Sequence, residues 1–413
     1  MWSTMMASRV LLLLQLLLLT SLVSASHHWG GAMNFAYKGR NPDGTYKLSL
    51  RIRSTYDACY YYHYWYCYDG NCGSAKTRTT NQIDTSTNAP MYESQWCETE
   101  TIETWNLPTD KPLKFRSASC CWISTRNSVS NWNFDSLVDF GARSDTRQPN
   151  KSPQTAIVPF LRVPQNCPRT YKLAAFDPDG DRVRCRYGNL QGYECDNCHL
   201  PSGFQLDQDS CTLHYQQTNY DYRVFGFEMV EQETSPNNNY FDNALMEVVD
   251  NHCTSDYYCT NQSMVVVVND NNHCTQNYYC TNQSMVVVVN DNNHCTQNYY
   301  CTNQSMVVVQ PLQFSFLVDP PVSSCQEGLF LPQLVAPTPA DGSRIMAEVN
   351  KEVAIRVKAQ AMYSTIQDII FSGPSNVTKH RDINNDFVIR WTPVEDDLGD
   401  QYPICFAVES VSG

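Results

Sequence analysis

The chain has 413 residues, 19 cysteines and a net charge of −13, a length that accommodates roughly two to four domains. The acidic excess is spread thinly with no long single-sign block, which excludes nucleic acid and anionic membrane surfaces as electrostatic partners. In an oxidising compartment this many cysteines are disulfide partners first and metal ligands a distant second.

The N-terminus supplies the reason to expect that compartment. A short stretch ending at Arg9 precedes an apolar run, Val10 to Leu19, interrupted by Gln15. Val23-Ser24-Ala25 then offers small residues for cleavage before Ser26. Residues 1–25 read as a secretory signal peptide, because the run is too short to span a bilayer comfortably. No later segment reads as a transmembrane anchor, so the expected location is secreted, extracellular. The odd cysteine count leaves one thiol that is free, paired between chains, or paired with a segment outside this sequence. Asparagines followed by x-Ser/Thr stand at Asn150, Asn261, Asn282, Asn303 and Asn376, which export makes candidate glycan acceptors. Pro153 weakens the Asn150 site.

The first segment, 26–145, is rich in cysteine and tyrosine. Leu48, Leu50 and Ile52 alternate with Lys47, Ser49, Arg51 and Arg53, the period of two of a half-buried strand. Asn41-Pro42-Asp43-Gly44 is a turn by composition, and Ala32 to Tyr37 makes the other arm of a hairpin. Tyr60, Tyr62, Tyr64, Trp65 and Tyr66 form a candidate ligand surface between Cys59 and Cys67, since exposed Tyr and Trp suit recognition. The same run also reads as a disulfide-pinned hairpin with one aromatic face buried. Cys59, Cys67, Cys72, Cys97, Cys120 and Cys121 allow about fifteen pairings.

A polar, Pro-containing joint from Asp145 to Pro153 leads into a second segment, 150–318. Its core runs Tyr171 to Asp181 with Asp177-Pro178-Asp179-Gly180-Asp181, then Arg182 to Tyr187, Leu200-Pro201-Ser202-Gly203-Phe204-Gln205-Leu206-Asp207, Thr212 to Tyr215, Tyr222 to Val230, and Leu312 to Val318. This ordered series resembles the cadherin-like sandwich domains of the dystroglycan type. Asp177, Asp179 and Asp181 offer oxygen ligands for calcium, or form a tight turn in which Gly180 supplies a positive φ. The expected bridge is Cys167–Cys185, with Cys195, Cys198 and Cys211 competing for another.

Inserted at about 246–309 is a tandem repeat. Met264 to Ser284 and Met285 to Ser305 are identical units of 21 residues. Each reads as a Val-rich strand, an Asn-Asp-Asn-Asn turn and a short loop pinned by Cys253–Cys259, Cys274–Cys280 or Cys295–Cys301. The adjoining His252, His273 and His294 raise zinc, but its paired thiolates usually sit closer in sequence. The units can stack as a ladder or form a glycosylated insertion without stacking.

The third segment, 325–413, contains Pro337-Thr338-Pro339-Ala340-Asp341-Gly342, alternating strands at Val353 to Ala359 and Phe387 to Trp391, and Pro403-Ile404-Cys405-Phe406. This arrangement is similar to the Ig-like modules near the N-terminus of large secreted animal proteins built from von Willebrand type D and EGF domains. Cys325–Cys405 is the expected bridge.

The fold class is all-β, consecutive cadherin-like and Ig-like sandwiches with a Cys-rich repeat insertion. No Gly-x-Ser-x-Gly, His-Glu-x-x-His or phosphate-cradling glycine loop occurs, so no catalytic residue is nominated and no cofactor beyond calcium is expected. The leading expectation is an extracellular structural or adhesion-type glycoprotein binding other proteins. The alternatives are a glycan-binding, lectin-like protein using the Tyr60–Tyr66 run, and ice binding through Thr275, Thr281, Thr296 and Thr302.

Overall fold

In this computed structural model the described residues are 27–86, 95–143, 145–216, 224–234, 308–382 and 386–412, with the backbone of five strands between 257 and 302. Among them there is no α-helix, only a short 3-10 turn at Glu395–Asp397. The chain is all-β. Residues 1–25, read from the sequence as a signal peptide, lie outside the described ones.

Strands β1 (His28–Arg40), β2 (Tyr46–Tyr56), β3 (Tyr66–Asp69), β4 (Ser74–Ser86), β5 (Trp96–Leu107), β6 (Leu113–Cys120) and β7 (Asn131–Val138) come from the first segment. The expected hairpin is present, with β1 antiparallel to β2 and Phe35 opposite Leu50. Its turn closes where the Gly44 N–H donates to the Asn41 carbonyl (2.9 Å), with Gly44 at φ +86. The second segment gives β8 (Gln154–Ala156), β9 (Phe160–Pro164), β10 (Arg169–Lys172), β11 (Ala174–Phe176), β12 (Arg182–Tyr187), β13 (Phe204–Asp207), β14 (Thr212–Tyr215) and β15 (Val224–Thr234). The repeats contribute β16 (Tyr257–Thr260), β17 (Val265–Asn269), β18 (Thr275–Thr281), β19 (Val286–Asn290) and β20 (Thr296–Thr302), and β21 (Val309–Asp319) follows.

β21 joins the first two segments. It lies between β7 and β1 in an 11-stranded sheet of order β3-β6-β7-β21-β1-β2-β5-β4, and it also pairs with β15 and, in parallel, with β9. The sheet therefore runs across the expected joint near residue 150. One apolar cluster holds Trp29, Phe35 and Phe134 together with Phe227, Phe314 and Phe316. β21 consequently has both faces covered, and its polar residues find internal partners. Ser315 Oγ donates to the Trp29 carbonyl (2.6 Å), and Gln313 Nε2 to the Asn133 carbonyl (2.6 Å). The small sheet β10-β14-β13 packs Phe204 against Phe225, Phe227 and Phe316 at ring separations of 5.5, 4.9 and 4.9 Å. This makes the second segment a sandwich.

In the third segment β22 (Gln333–Val335), β23 (Val353–Gln360), β24 (Ser364–Ser372), β25 (Thr378–Arg381), β26 (Asp386–Trp391) and β27 (Cys405–Ser412) form two sheets, β22-β23-β26-β25 and β24-β27. Val357, Phe371, Phe387 and Ile389 fill the space between them. Ile83 of β4 enters this same core. The polar faces of β2 and β5 are thereby covered. Arg53, only 7% exposed, donates through Nη1 to Ser372 Oγ (3.2 Å). Ser372 Oγ in turn donates to Glu98 (2.9 Å), and the Ser375 N–H donates to Glu100 (3.0 Å). Lys379 pairs with Asp84 (3.0 Å) and Arg51 with Asp397 (2.9 Å).

Two expected bridges are corrected. The structure forms Cys167–Cys325 in place of Cys325–Cys405, and Cys185–Cys211 in place of Cys167–Cys185. The Cys185 N–H donates to the Gln208 carbonyl (3.0 Å), which sets β12 beside the β13–β14 turn that carries Cys211. Asn166 exchanges two hydrogen bonds with the backbone of Val322 (2.8 and 2.9 Å), bringing Cys167 to the segment that leads to Cys325. Cys405 lies on β27 with its Sγ 3.1 Å from the Ala156 carbonyl and is unpaired. Burial pushes its thiol up to about 12, which keeps it protonated and a poor nucleophile. Further bridges are Cys59–Cys97, Cys67–Cys72, Cys120–Cys121 and Cys195–Cys198. The expected pairs Cys253–Cys259, Cys274–Cys280 and Cys295–Cys301 lie outside the described side chains.

The repeat strands stack. β16, β18 and β20 pair in parallel, as do β17 and β19. Thr275 stands opposite Thr296 and Thr281 opposite Thr302 along the backbone.

Candidate recognition surface

The chain from Asp57 to Asp69 is held at both ends. Cys59 is tied to β5 through Cys97, and β3 pairs with β6. Between these anchors the residues alternate. His63 is fully buried, 4.6 Å ring-to-ring from both Trp132 and Phe134, and Trp65 is buried beside Phe134. His63 also faces His28 across 3.3 Å between ring nitrogens. Burial holds both imidazoles below their usual range, with His63 at about 3 and its neighbour further lowered by His63 itself. Gly31 makes room for this packing, because a Cβ there would lie 2.6 Å from both the Arg53 carbonyl and the His63 ring.

The intervening residues point outward. Tyr60, Tyr64 and Tyr66 are 70%, 66% and 50% exposed, and Tyr62 is half-buried. Four of the five residues nominated from the sequence are thus at least partly exposed, and Tyr62 and Tyr64 sit side by side with ring centroids 5.3 Å apart. Trp65 is not among the four, since the strand-like alternation turns it into the core.

The outward tyrosines are backed by arginines. The Arg78 guanidinium sits 5.2 Å from the Tyr62 ring centroid and 4.8 Å from that of Tyr64. Glu103, itself buried, orients it by accepting from Arg78 Nε (2.8 Å). Each such exposed cation–π contact is worth about 0.5–1 kcal/mol. Further along, Tyr68 donates to Asp135 (2.7 Å), and Arg116, opposite Tyr66 in the β3–β6 register, stacks on Tyr193 (4.4 Å). Burial, reinforced by the bond to Asp135, pushes the Tyr68 phenol up. Exposed Leu190 adjoins this end. Tyr68 was legible as the next step of the alternation, whereas Arg78, Arg116 and Tyr193 carry no sequence signal, because distant segments bring them in.

The second candidate, the Asp177–Asp181 turn, is neutralised from within. Asp177 Oδ1 accepts the N–H groups of Asp179 (2.7 Å) and Asp181 (3.4 Å), so it serves the turn itself, with Gly180 at φ +91. Asp179 pairs with Lys151 (3.6 Å). Arg143, with its side chain 3% exposed, pairs with Asp145 (2.9 Å) and Asp181 and lies 4.0 Å from Glu233. These residues do not fit a calcium ion, because a guanidinium already fills the acidic cluster. Among the described residues no group of three or more His, Cys, Asp or Glu is arranged to hold a metal. Calcium at about 1 mM, the range of extracellular modules, is expected to leave the melting temperature unchanged relative to EDTA. A clear rise would show that the ion displaces Arg143.

The glycan candidates divide. Asn376 is exposed, at φ +65. Asn150 is corrected: it is 2% exposed, its Nδ2 donates to Glu233 (3.1 Å) and the Asp139 carbonyl (3.3 Å), and its Oδ1 accepts from Arg143 (3.0 Å). A sugar on Nδ2 has no room there. Asn261, Asn282 and Asn303 lie outside the described residues.

The folded chain is an all-β protein of sandwich modules with an exposed, arginine-backed tyrosine ridge. No family model and no curated protein matches it. Among solved structures it is matched to the crystal structure of Down Syndrome Cell Adhesion Molecule (DSCAM) isoform 1.30.30, N-terminal eight Ig domains, with 7% identity and a TM-score of 0.17. The match covers 93% of this chain and 42% of that one. A likeness so slight carries no argument about arrangement or function. The fold class rests on the chain's own sheets.

Proposed function

We propose that this chain is a secreted, adhesion-type glycoprotein that binds an extracellular protein partner through the ridge formed by Tyr60, Tyr62, Tyr64, Tyr66, Tyr68 and Tyr193. The observation that carries the reading is the exposure of Tyr60, Tyr64, Tyr66 and Tyr68 on a segment anchored by the Cys59–Cys97 bridge and the β3–β6 pairing. Tyrosine and arginine are enriched at binding hot spots, and tyrosine buries a large area at low entropic cost. Six described disulfide bridges support a life outside the cytosol. The sequence resemblance to cadherin-like and Ig-like ectodomain modules agrees with this role.

Tyr64→Ala and Tyr66→Ala together are expected to weaken binding of the purified protein to cells or matrix by at least tenfold, with a loss of stability no larger than the about 0.5–1 kcal/mol of the Arg78–Tyr64 contact. Cell-surface binding of the two proteins measures this. Binding unaffected by the pair removes the ridge from the function. A glycan-array signal that the same pair abolishes turns the reading into the lectin alternative.

A further inference from the structure

The 21-residue units are complementary to themselves. β16, β18 and β20 pair in parallel with each residue opposite its own equivalent one unit away: Tyr257 opposite Tyr278, Tyr278 opposite Tyr299, Cys280 opposite Cys301. β17 and β19 do the same, Val265 opposite Val286. Whatever backbone pattern a unit offers its neighbour within the chain, it offers equally to the same unit of another copy.

The ladder ends inside the chain. β16 and β20 are the outer strands of their sheet, each with one side unpaired among the described strands. Among the described strands the valine sheet ends at β17 and β19, and Val309, which closes the next valine segment, belongs to β21 opposite Gln232 and Leu137. Natural edge strands are blunted by lysine, proline, bulges or a covering element. β20 (Thr-Gln-Asn-Tyr-Tyr-Cys-Thr) and β19 (Val-Val-Val-Val-Asn) contain no charge, no proline and no glycine, the composition of segments that stack on their own copies.

We infer that the repeat ladder is a self-association surface whose occupant is a second copy of this chain, added strand to strand in the same parallel register, β20 of one copy against β16 of the next. The two edges are different surfaces, so the contact is head-to-tail and propagates unless other parts of the fold close it.

Sedimentation velocity on the full secreted chain tests this, with and without enzymatic removal of N-glycans. The deglycosylated protein is expected to shift from monomer to dimer and larger species as concentration rises. Gln297→Pro with Asn298→Pro removes neighbouring amides that point to opposite sides of β20, and is expected to leave a monomer with the near-UV spectrum of the parent. Should that pair misfold, Gln297→Lys with Asn298→Lys charges the same edge and serves the same comparison. Deleting Met285–Ser305 is expected to preserve association, because the unit left at the edge is identical to the one removed. Cys405→Ser is expected to preserve it too. A parent that stays monomeric throughout the series overturns the inference. So does association that survives in the edge variants, or that disappears with Cys405.

Discussion

Replacing Arg143 with methionine is expected to destabilise the fold by about 3–5 kcal/mol, the cost of removing one partner from a buried charge cluster. Arg143 is the counter-charge for Asp181, whose side chain is 6% exposed, and it also binds Asp145 and the buried Asn150. Hydrogen bonds from Arg143 hold the Asp145 carboxyl at about 2, so that group is ionised under every ordinary condition. Burial pushes Asp177 up to about 7 and raises Glu233 as well, the latter raised further by its carboxyl neighbours Asp181 and Asp177. The cluster thus already limits its own charge by keeping protons, and Asp181 depends on the arginine. Urea midpoints at constant slope measure the loss. Asp181→Asn in the Arg143→Met background is expected to recover a large part of it. Lys151→Met, which touches the same turn from a half-exposed position, is expected to cost no more than about 1 kcal/mol. A loss at Arg143 no greater than at Lys151 would contradict the role assigned to the arginine.

Stability is expected to fall as pH rises from about 6.5 to about 8.5, a direction set by carboxyls buried without sufficient counter-charge. Burial raises Glu98, Glu228 and Glu231 to about 8 each. Their unfolded values lie near about 4.3. Between those limits the folded chain holds more protons than the unfolded one. The stabilisation is complete below the unfolded value and is lost progressively as pH climbs towards the folded one. A single such group titrating alone changes stability by about 1.4 kcal/mol per pH unit. The buried histidines act in the opposite sense. With His63 at about 3 and His28 also held low, the unfolded imidazoles, near about 6.5, take up protons first, so stability is lost as pH falls below that value. Above it the histidines are silent and the carboxyls decide. Glu98→Gln keeps an acceptor for Ser372 while removing the ionisation, so this variant is expected to flatten the alkaline slope and to exceed the parent in stability at pH 8.5. Denaturation midpoints across the series provide the readout. A parent profile that is flat or rising over the window would refute the assignment.

The β1–β2 hairpin, the late strands around Val357 and Ile389, and the alternation of the Tyr60–Tyr66 run were all legible in the sequence. Each depends on neighbours a few residues away and on the two-residue period of a strand. The same period could not say which face stays wet. The polar sides of β2 and β5 carry Arg53, Glu98 and Glu100 and look like solvent faces, yet the third sandwich covers them. Likewise Phe314, Ser315 and Phe316 suggest one buried face, but β21 lies at the centre of a sheet with Ser315 tied to Trp29.

What the linear chain determined by itself was composition and local period: an all-β protein, an excess of cysteine and a tandem unit of 21 residues. Tertiary structure alone decided that Cys167 meets Cys325, that Cys185 meets Cys211, and that Arg143 fills the acidic turn. It also set Arg78, Arg116 and Tyr193 beside the tyrosine ridge. Those partners are separated by up to 158 positions. Their meeting depends on how whole sheets pack, and no short-range pattern encodes a contact that only the burial of a shared core brings about.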